Sequence, residues 1–207
     1  MKKFRKQDSN LPDEAPVMVL PQATLFTRAL LPLYIFEPRY RTMLSAALES
    51  NRMFCIAMMR PGISEAFTEN DFFHVAGLGL IRACVGSSDG TSRLVLQGLA
   101  RVQLLDFVQE QPFRIARIRK LHTTKESLED LEPLLVSVLE KTKAIRQQVA
   151  GIDSSVDENL SKLRDPEAFA DLIAHSFISD PMKRQELLEE LNVRFRLNLL
   201  LEHLENE

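Results

Sequence analysis

Residues 75–107 read VAGLGLIRACVGSSDGTSRLVLQGLARVQLLDF. Asp89-Gly90 lies between two apolar, β-branched runs, and Gly90 can take the positive φ that a tight turn between twisted strands requires. The stretch therefore predicts a β-hairpin, with strand character continuing through Val102–Val108 and resuming at Phe113–Leu121. Gly77 and Gly79 give a G-x-G inside the first run. Arg82 takes the place of a third glycine and the flanking context is strand to strand, so a dinucleotide loop does not fit and a bulge or close strand crossing does.

Upstream, Val17–Leu20 between Pro16 and Pro21 reads as a short strand. Leu30–Phe36 reads as a second one that Pro32 confines to an edge or a strand start. The period then changes. Met43, Leu44, Ala47 and Leu48 recur at helical spacing behind Pro38, with Glu49–Asn51 closing the helix, so LYIFEPRYRTMLSAAL (33–48) predicts strand, corner, helix, with Leu33 and Phe36 directed into the β core. Phe54–Met59 is a third apolar run, and a long connection over 60–73 leads to the hairpin. The first half is thus β-rich, with one inserted helix and no strand-helix alternation that would predict a parallel sheet.

Beyond Leu121 the apolar period becomes helical: Leu131, Leu134, Leu135, Val138, Leu139, Ile145 and Val149 trace one face, with Pro133 expected in the first turn. Asp165-Pro166 and Asp180-Pro181 repeat one helix-start device, in which Asp accepts from unpaired N–H groups and Pro presets φ. Phe169, Leu172, Ile173 and Phe177 form one stripe, Leu187, Leu188 and Leu191 another, and Leu197, Leu200, Leu201 and Leu204 a third. The expected organisation is a polar tail over 1–15, a β-rich subdomain over 16–121 and a helical bundle over 122–207. Charge supports the division. The chain carries 26 basic and 29 acidic residues, net −3, divided as 16 basic against 11 acidic over 1–121 (+5) and 10 against 18 over 122–207 (−8).

A near-neutral chain does not work mainly through bulk attraction to nucleic acid. Cys55 and Cys84, both in apolar runs, read as buried free thiols of a reducing cytoplasm rather than a disulfide framework. The N-terminus has Lys2, Lys3, Arg5 and Lys6 without an apolar core behind them, and no run is long enough to span a bilayer. No phosphate-cradling G-x-x-x-x-G-K-[ST], H-E-x-x-H, C-x-x-C or G-x-S-x-G pattern occurs, so no cofactor, metal or catalytic set is assigned. Glu129, Asp130 and Glu132 sit where a helix start favours negative charge. The basic stretch RIARIRK, with Arg114, Arg117, Arg119 and Lys120, could line a strand face that follows a phosphate backbone, or form a solvated edge facing the acidic second half.

Several of these stretches together resemble a known family. VMVLPQATLFTRALLPLYIFEPRYRTML, the hairpin with its Leu96, Gly98 and Arg101 return, and DPEAFADLIAHSFISDPMKRQELLEELNVRFRLNLLLEHL are similar to the N-terminal, substrate-binding domain of the ATP-dependent protease Lon, over about Val17 to Leu204. The resemblance implies an α+β fold: a PUA-like β-rich barrel with one inserted helix, then a C-terminal helical bundle. Full-length Lon continues into an ATPase and a Ser-Lys protease, so the resemblance implies recognition without catalysis, not an enzyme. The expected role is a non-catalytic module for unfolded or flexible polypeptide or a regulatory protein partner. Met58, Met59, Phe67, Phe72 and Phe73, in or beside the 60–73 connection, are the candidate contacts, because Met adapts and aromatics supply area. Core packing is the commoner fate of such residues. The alternative, since PUA-like folds include RNA readers, is RNA binding through Arg114, Arg117, Arg119 and Lys120.

Overall fold

A computed structural model describes residues 11–124, 126–148 and 165–205. Strands β1 (Glu14–Leu20), β2 (Leu30–Ile35), β3 (Met53–Met58), β4 (Val75–Gly86), β5 (Ser92–Gln109) and β6 (Arg114–Lys120) form one sheet in the order β2-β5-β4-β3-β1-β6. A further β5–β6 pairing closes five of them into a barrel and leaves β2 on the first half of β5 as an edge. The 18-residue β5 is long enough to serve both partners. Chain 87–91 makes the hairpin turn, with Gly90 at φ 81° and the Asp89 carboxylate accepting from Thr91 N at 2.9 Å and Thr91 Oγ1 at 2.7 Å.

The start of the first strand and the pairing within the sheet both depart from expectation. Glu14 and Ala15 pair with Arg117 and Ala116, so the strand starts inside the stretch read as tail; the basic residues at 2–6 lie outside the described residues. β1 and β3 pair in parallel, joined through β2 and α1 (Pro38–Glu49). The parallel pair escaped the sequence reading because the crossover contains a strand as well as a helix.

Both faces of β1 and β3 are covered, which is why VMVL and FCIAM are continuous apolar runs. Val17, Val19, Cys55 and Ala57 pack with Leu78, Val102 and Leu104. Met18, Phe54 and Ile56 pack instead with Met43, Leu44 and Ala47 of α1 and with Leu94 and Leu96 of β5. Tyr40 of α1 ties the helix to β1 by donating to Val19 O at 2.9 Å and accepting from Val19 N at 3.2 Å. Of the two thiols, Cys55 is buried and Cys84 half-buried, and both are free.

The chain between β1 and β2 crosses β4 and β5 where two glycines admit it. A Cβ on Gly77 would stand 2.0 Å from Leu25 O, and one on Gly98 would stand 1.9 Å from Phe26 O. Arg28 N donates to Gly98 O at 2.8 Å and Gly98 N to Ala29 O at 2.9 Å, fixing the crossing. Consecutive side chains then serve different cores: Leu25 joins the α1 side of the barrel, and Phe26 packs into the helical core.

That helical core is built by α2 (Leu128–Gln148), α3 (Pro166–Phe177), α4 (Pro181–Glu189) and α5 (Val193–Leu204). Leu131, Val138, Phe169, Ile173, Leu187, Leu197 and Leu200 are all buried in it. Full burial of each large aliphatic side chain contributes about 1.5–3 kcal/mol. Pro133 falls inside α2 rather than in its first turn. Ser127 starts the helix earlier, its Oγ accepting from Asp130 N at 3.2 Å. Val149, expected on the same face, lies outside the described residues. Of the two Asp-Pro starts, Asp180 caps as expected, accepting from Met182 N and Lys183 N, whereas Asp165 pairs with Arg28 at 3.1 Å.

A buried charge cluster joins the barrel to the bundle. Arg101 of β5 reaches both oxygens of Asp171 on α3, at 2.5 and 2.9 Å, and donates to Glu167 and to Leu188 O. Arg196 of α5 donates to the same Asp171 at 3.0 Å and to Glu190 O. Burial, followed by repulsion from Arg101, brings the Arg196 pKa down to about 10. Two guanidiniums around one fully buried carboxylate form an arrangement in which each member depends on the others.

Candidate functional site

The outer face of β2, β5 and β4 exposes apolar side chains in a regular grid, because residues paired across a sheet point to the same side. Leu30, Gln97 and Leu80 form one row, and Pro32, Val95 and Ala83 the next. Tyr34, Arg93 and Val85 form the third. Leu30, Tyr34 and Val85 are 52%, 50% and 70% exposed, although the inner side of the same strands is packed. Phe36 continues the outward set at 57% exposure and stacks on Tyr34 with centroids 5.8 Å apart.

This overturns the expectation that Phe36 enters the core. Ile35 fills that place, because an extended strand alternates and only one parity can face inward. Pro32 shapes the rim: it has no N–H, so the open edge of β2 is blunted against further strand pairing. Two cations lie on the grid. The Arg93 guanidinium sits over the Tyr34 ring, 5.1 Å from its centroid, and Arg82 Nε donates to Gln97 Oε1 at 2.5 Å.

The residues proposed from sequence have mixed fates. Met58, Met59 and Phe72 are buried, at 2%, 8% and 0% exposure, Phe73 is half-buried, and Phe67 is 72% exposed at the tip of the connection. Phe72 is held by its surroundings: the Phe107 ring meets it edge-on at 5.8 Å, the His74 ring stacks at 5.7 Å, and the Arg114 guanidinium lies 5.4 Å from its centroid. Phe73 is covered by Arg60, 4.4 Å from its centroid. Met58 and Met59 nevertheless line a cleft of about 240 Å³ between the barrel and the start of α4, with Pro21, Ile63 and Met182 on its walls.

The connection itself is pinned. Asp71 accepts from Phe67 N at 2.9 Å and Thr68 N at 2.6 Å, bonds that hold its carboxyl below the usual range, with the Thr68 backbone bond the largest cause. Arg114 donates to Ala66 O at 2.8 Å and Phe67 O at 3.0 Å. Arg117 meets Asp106 at 3.0 Å and Glu14 at 3.6 Å. The alternation of β6 separates Arg114 and Lys120 from Arg117 and Arg119, so the four do not make the single basic face that the sequence suggested. Burial pushes the Cys55 thiol upward. Among the described residues, no group of three or more His, Cys, Asp or Glu stands where it could hold a metal, and no helix is long and apolar enough to cross a membrane.

A sequence model of the substrate-binding domain of ATP-dependent protease La (LON) matches residues 14–206, nearly the whole chain. The chain belongs to this family. Lon protease of Dictyoglomus thermophilum is 22% identical over 201 residues, covering 97% of this chain and 25% of that protein. Lon protease 2 of Herpetosiphon aurantiacus is 26% identical over 187 residues, covering 90% and 23%. The chain therefore spans about a quarter of the length of the curated relatives it matches.

The N-terminal domain of Lon protease from the Mycobacterium avium complex superposes with a TM-score of 0.76 at 16% identity, covering 94% of this chain and 99% of that one. The Lon N-terminal domain protein of Xanthomonas campestris gives 0.67 at 18% identity, covering 91% and 97%. These likenesses establish the α+β Lon N-terminal domain fold. For this member of the Lon substrate-binding domain family, the β2 face was the feature least visible in sequence. The signal was present: Leu30, Pro32, Tyr34 and Phe36 share one parity, and the edge-marking Pro32 belongs to it.

Proposed function

We propose that the protein is a non-catalytic recognition module that holds apolar stretches of unfolded or flexible polypeptide on the outer face of β2, β5 and β4. The carrying observation is the exposure of Leu30, Tyr34, Phe36 and Val85 on strands whose other side is packed. A rigid apolar platform offers contact area without an ordering cost in the protein, and contiguous exposed patches mark interaction surfaces. Family membership agrees with this reading, because the matched domain is described as substrate-binding. The cleft beside Met58 and Met59 supplies a second apolar contact, and Phe67, exposed on the connection, a third.

Fluorescence anisotropy with a labelled, unstructured apolar peptide tests the assignment. Tyr34→Ser and Phe36→Ser each weaken binding about tenfold, the scale of one buried aromatic. Phe67→Ser, on the connection and outside this face, weakens it at most about twofold. Phe195→Ser, which removes an exposed aromatic on α5, leaves affinity unchanged. Equal affinity for wild type, Tyr34→Ser and Phe36→Ser, with all three folded, refutes the assignment.

A further inference from the structure

We infer that the β2–β5–β4 face selects extended apolar segments that carry acidic residues four positions apart. This rests on the reading that the face holds polypeptide, and it names the class of segment held. The charge on the grid is one-sided: Arg82 and Arg93 are exposed, and β2, the first half of β5 and the last half of β4 contribute no Asp or Glu to it. Neither arginine meets a carboxylate among the described residues. The acidic residues that flank these strands in sequence are already engaged, Glu37 with Arg39 at 2.9 Å and Asp89 with Thr91 at 2.7 Å.

Both cations are also held in place. Arg93 lies over Tyr34 and Arg82 reaches across to Gln97, so each presents donors from a fixed position. Gln97 and Arg93 are four residues apart on β5, about 13 Å at the strand rise. An extended segment running along the strands has the same rise. Its residues four apart then lie over Gln97, which Arg82 reaches, and over Arg93, while the residue midway between them lies over Val95 and Pro32. A helical segment would need a spacing of eight or nine residues to span the distance. The blunted β2 edge favours a segment laid over the face rather than one paired as an added strand.

Three unstructured peptides with the same apolar residues test this on the full chain. One carries Asp at two positions four apart, one Lys at those positions, and one Ser. The Asp peptide binds about tenfold more tightly than the Lys peptide, and 0.5 M salt largely removes the difference. Arg82→Gln and Arg93→Gln each reduce the ratio of Asp-peptide to Lys-peptide affinity about threefold, whatever each does to the affinity for the Ser peptide. An Asp peptide with its charges two residues apart loses most of the advantage.

Equal binding of the Asp and Lys peptides overturns the selectivity while leaving polypeptide binding standing. Failure of all three peptides to bind overturns both readings. Concentration-dependent dimerisation that Tyr34→Ser abolishes assigns the face to a second copy of the chain and likewise overturns the proposal.

Discussion

The barrel carries two kinds of arginine-aromatic pair. Arg114 covers Phe72 and donates to two carbonyls of the 60–73 connection, so cation and ring are both part of the fold. Arg93 covers Tyr34 on a face open to solvent, and neither belongs to the packed interior. The chemistry is the same and the fate opposite. What differs is the setting: the stapled connection that carries Phe72 leaves it fully buried, whereas β2 is the last strand on its side and leaves Tyr34 50% exposed. The inward set supplies stability and the outward set remains available for contact.

The largest loss is expected where buried charge, rather than a buried ring, is left without its partner. Asp171→Ala leaves Arg101 and Arg196 without their shared carboxylate, and urea denaturation will show a loss of about 3–5 kcal/mol. Phe72→Ala follows, at about 3–4 kcal/mol by the same measurement. Its outward counterpart Tyr34→Ser stays within about 0.5 kcal/mol of wild type, as a surface substitution does. Arg114→Gln falls between the two, at about 1–2 kcal/mol from the lost carbonyl bonds. Faster amide exchange over 60–73 will mark the loosened segment.

The smallest effect concerns pH at the junction of the two regions. The His175 pKa is lowered, chiefly by burial and then by the nearby Arg184, against a hydrogen bond to the backbone of Leu30 that raises it. The unfolded chain therefore binds a proton here more readily than the folded one. The associated stability is fully present above the unfolded value of about 6.5 and falls as pH drops below it toward the lowered folded value. Urea midpoints compared at pH 7.5 and 5.5 will show this decline, and His175→Gln will make it shallower.

Much of the architecture was legible because it obeys local rules. The Asp89-Gly90 turn, the Pro38 helix start and the bundle stripes each follow from residue type and period. Gly77 and Gly98 mark the close crossing, although nothing in the sequence said which segment would cross. The parallel pairing of β1 with β3 was not legible, since pairing partners so far apart leave no local trace. Asp165 shows another limit: a cap-forming residue turned to Arg28, a partner 137 positions away.

The candidate site was less legible than the fold for one physical reason. A run such as LLPLYIF is apolar on both parities, so composition alone assigns all of it to the interior. Only the edge position of β2 separates the inward Leu31, Leu33 and Ile35 from the outward Leu30, Tyr34 and Phe36. Met58 and Phe72 show the converse. Their place in or beside a long connection suggests exposure, but the tethers at Asp71 and Arg114 hold that connection against the core.

The passage of chain 25–28 over Gly77 and Gly98 limits how this protein can be dismantled. Because neighbouring side chains there plug opposite compartments, excising either half would leave a hole in one fragment and an uncovered phenylalanine in the other. A transplant of this recognition unit onto another scaffold must therefore carry the barrel and the bundle together.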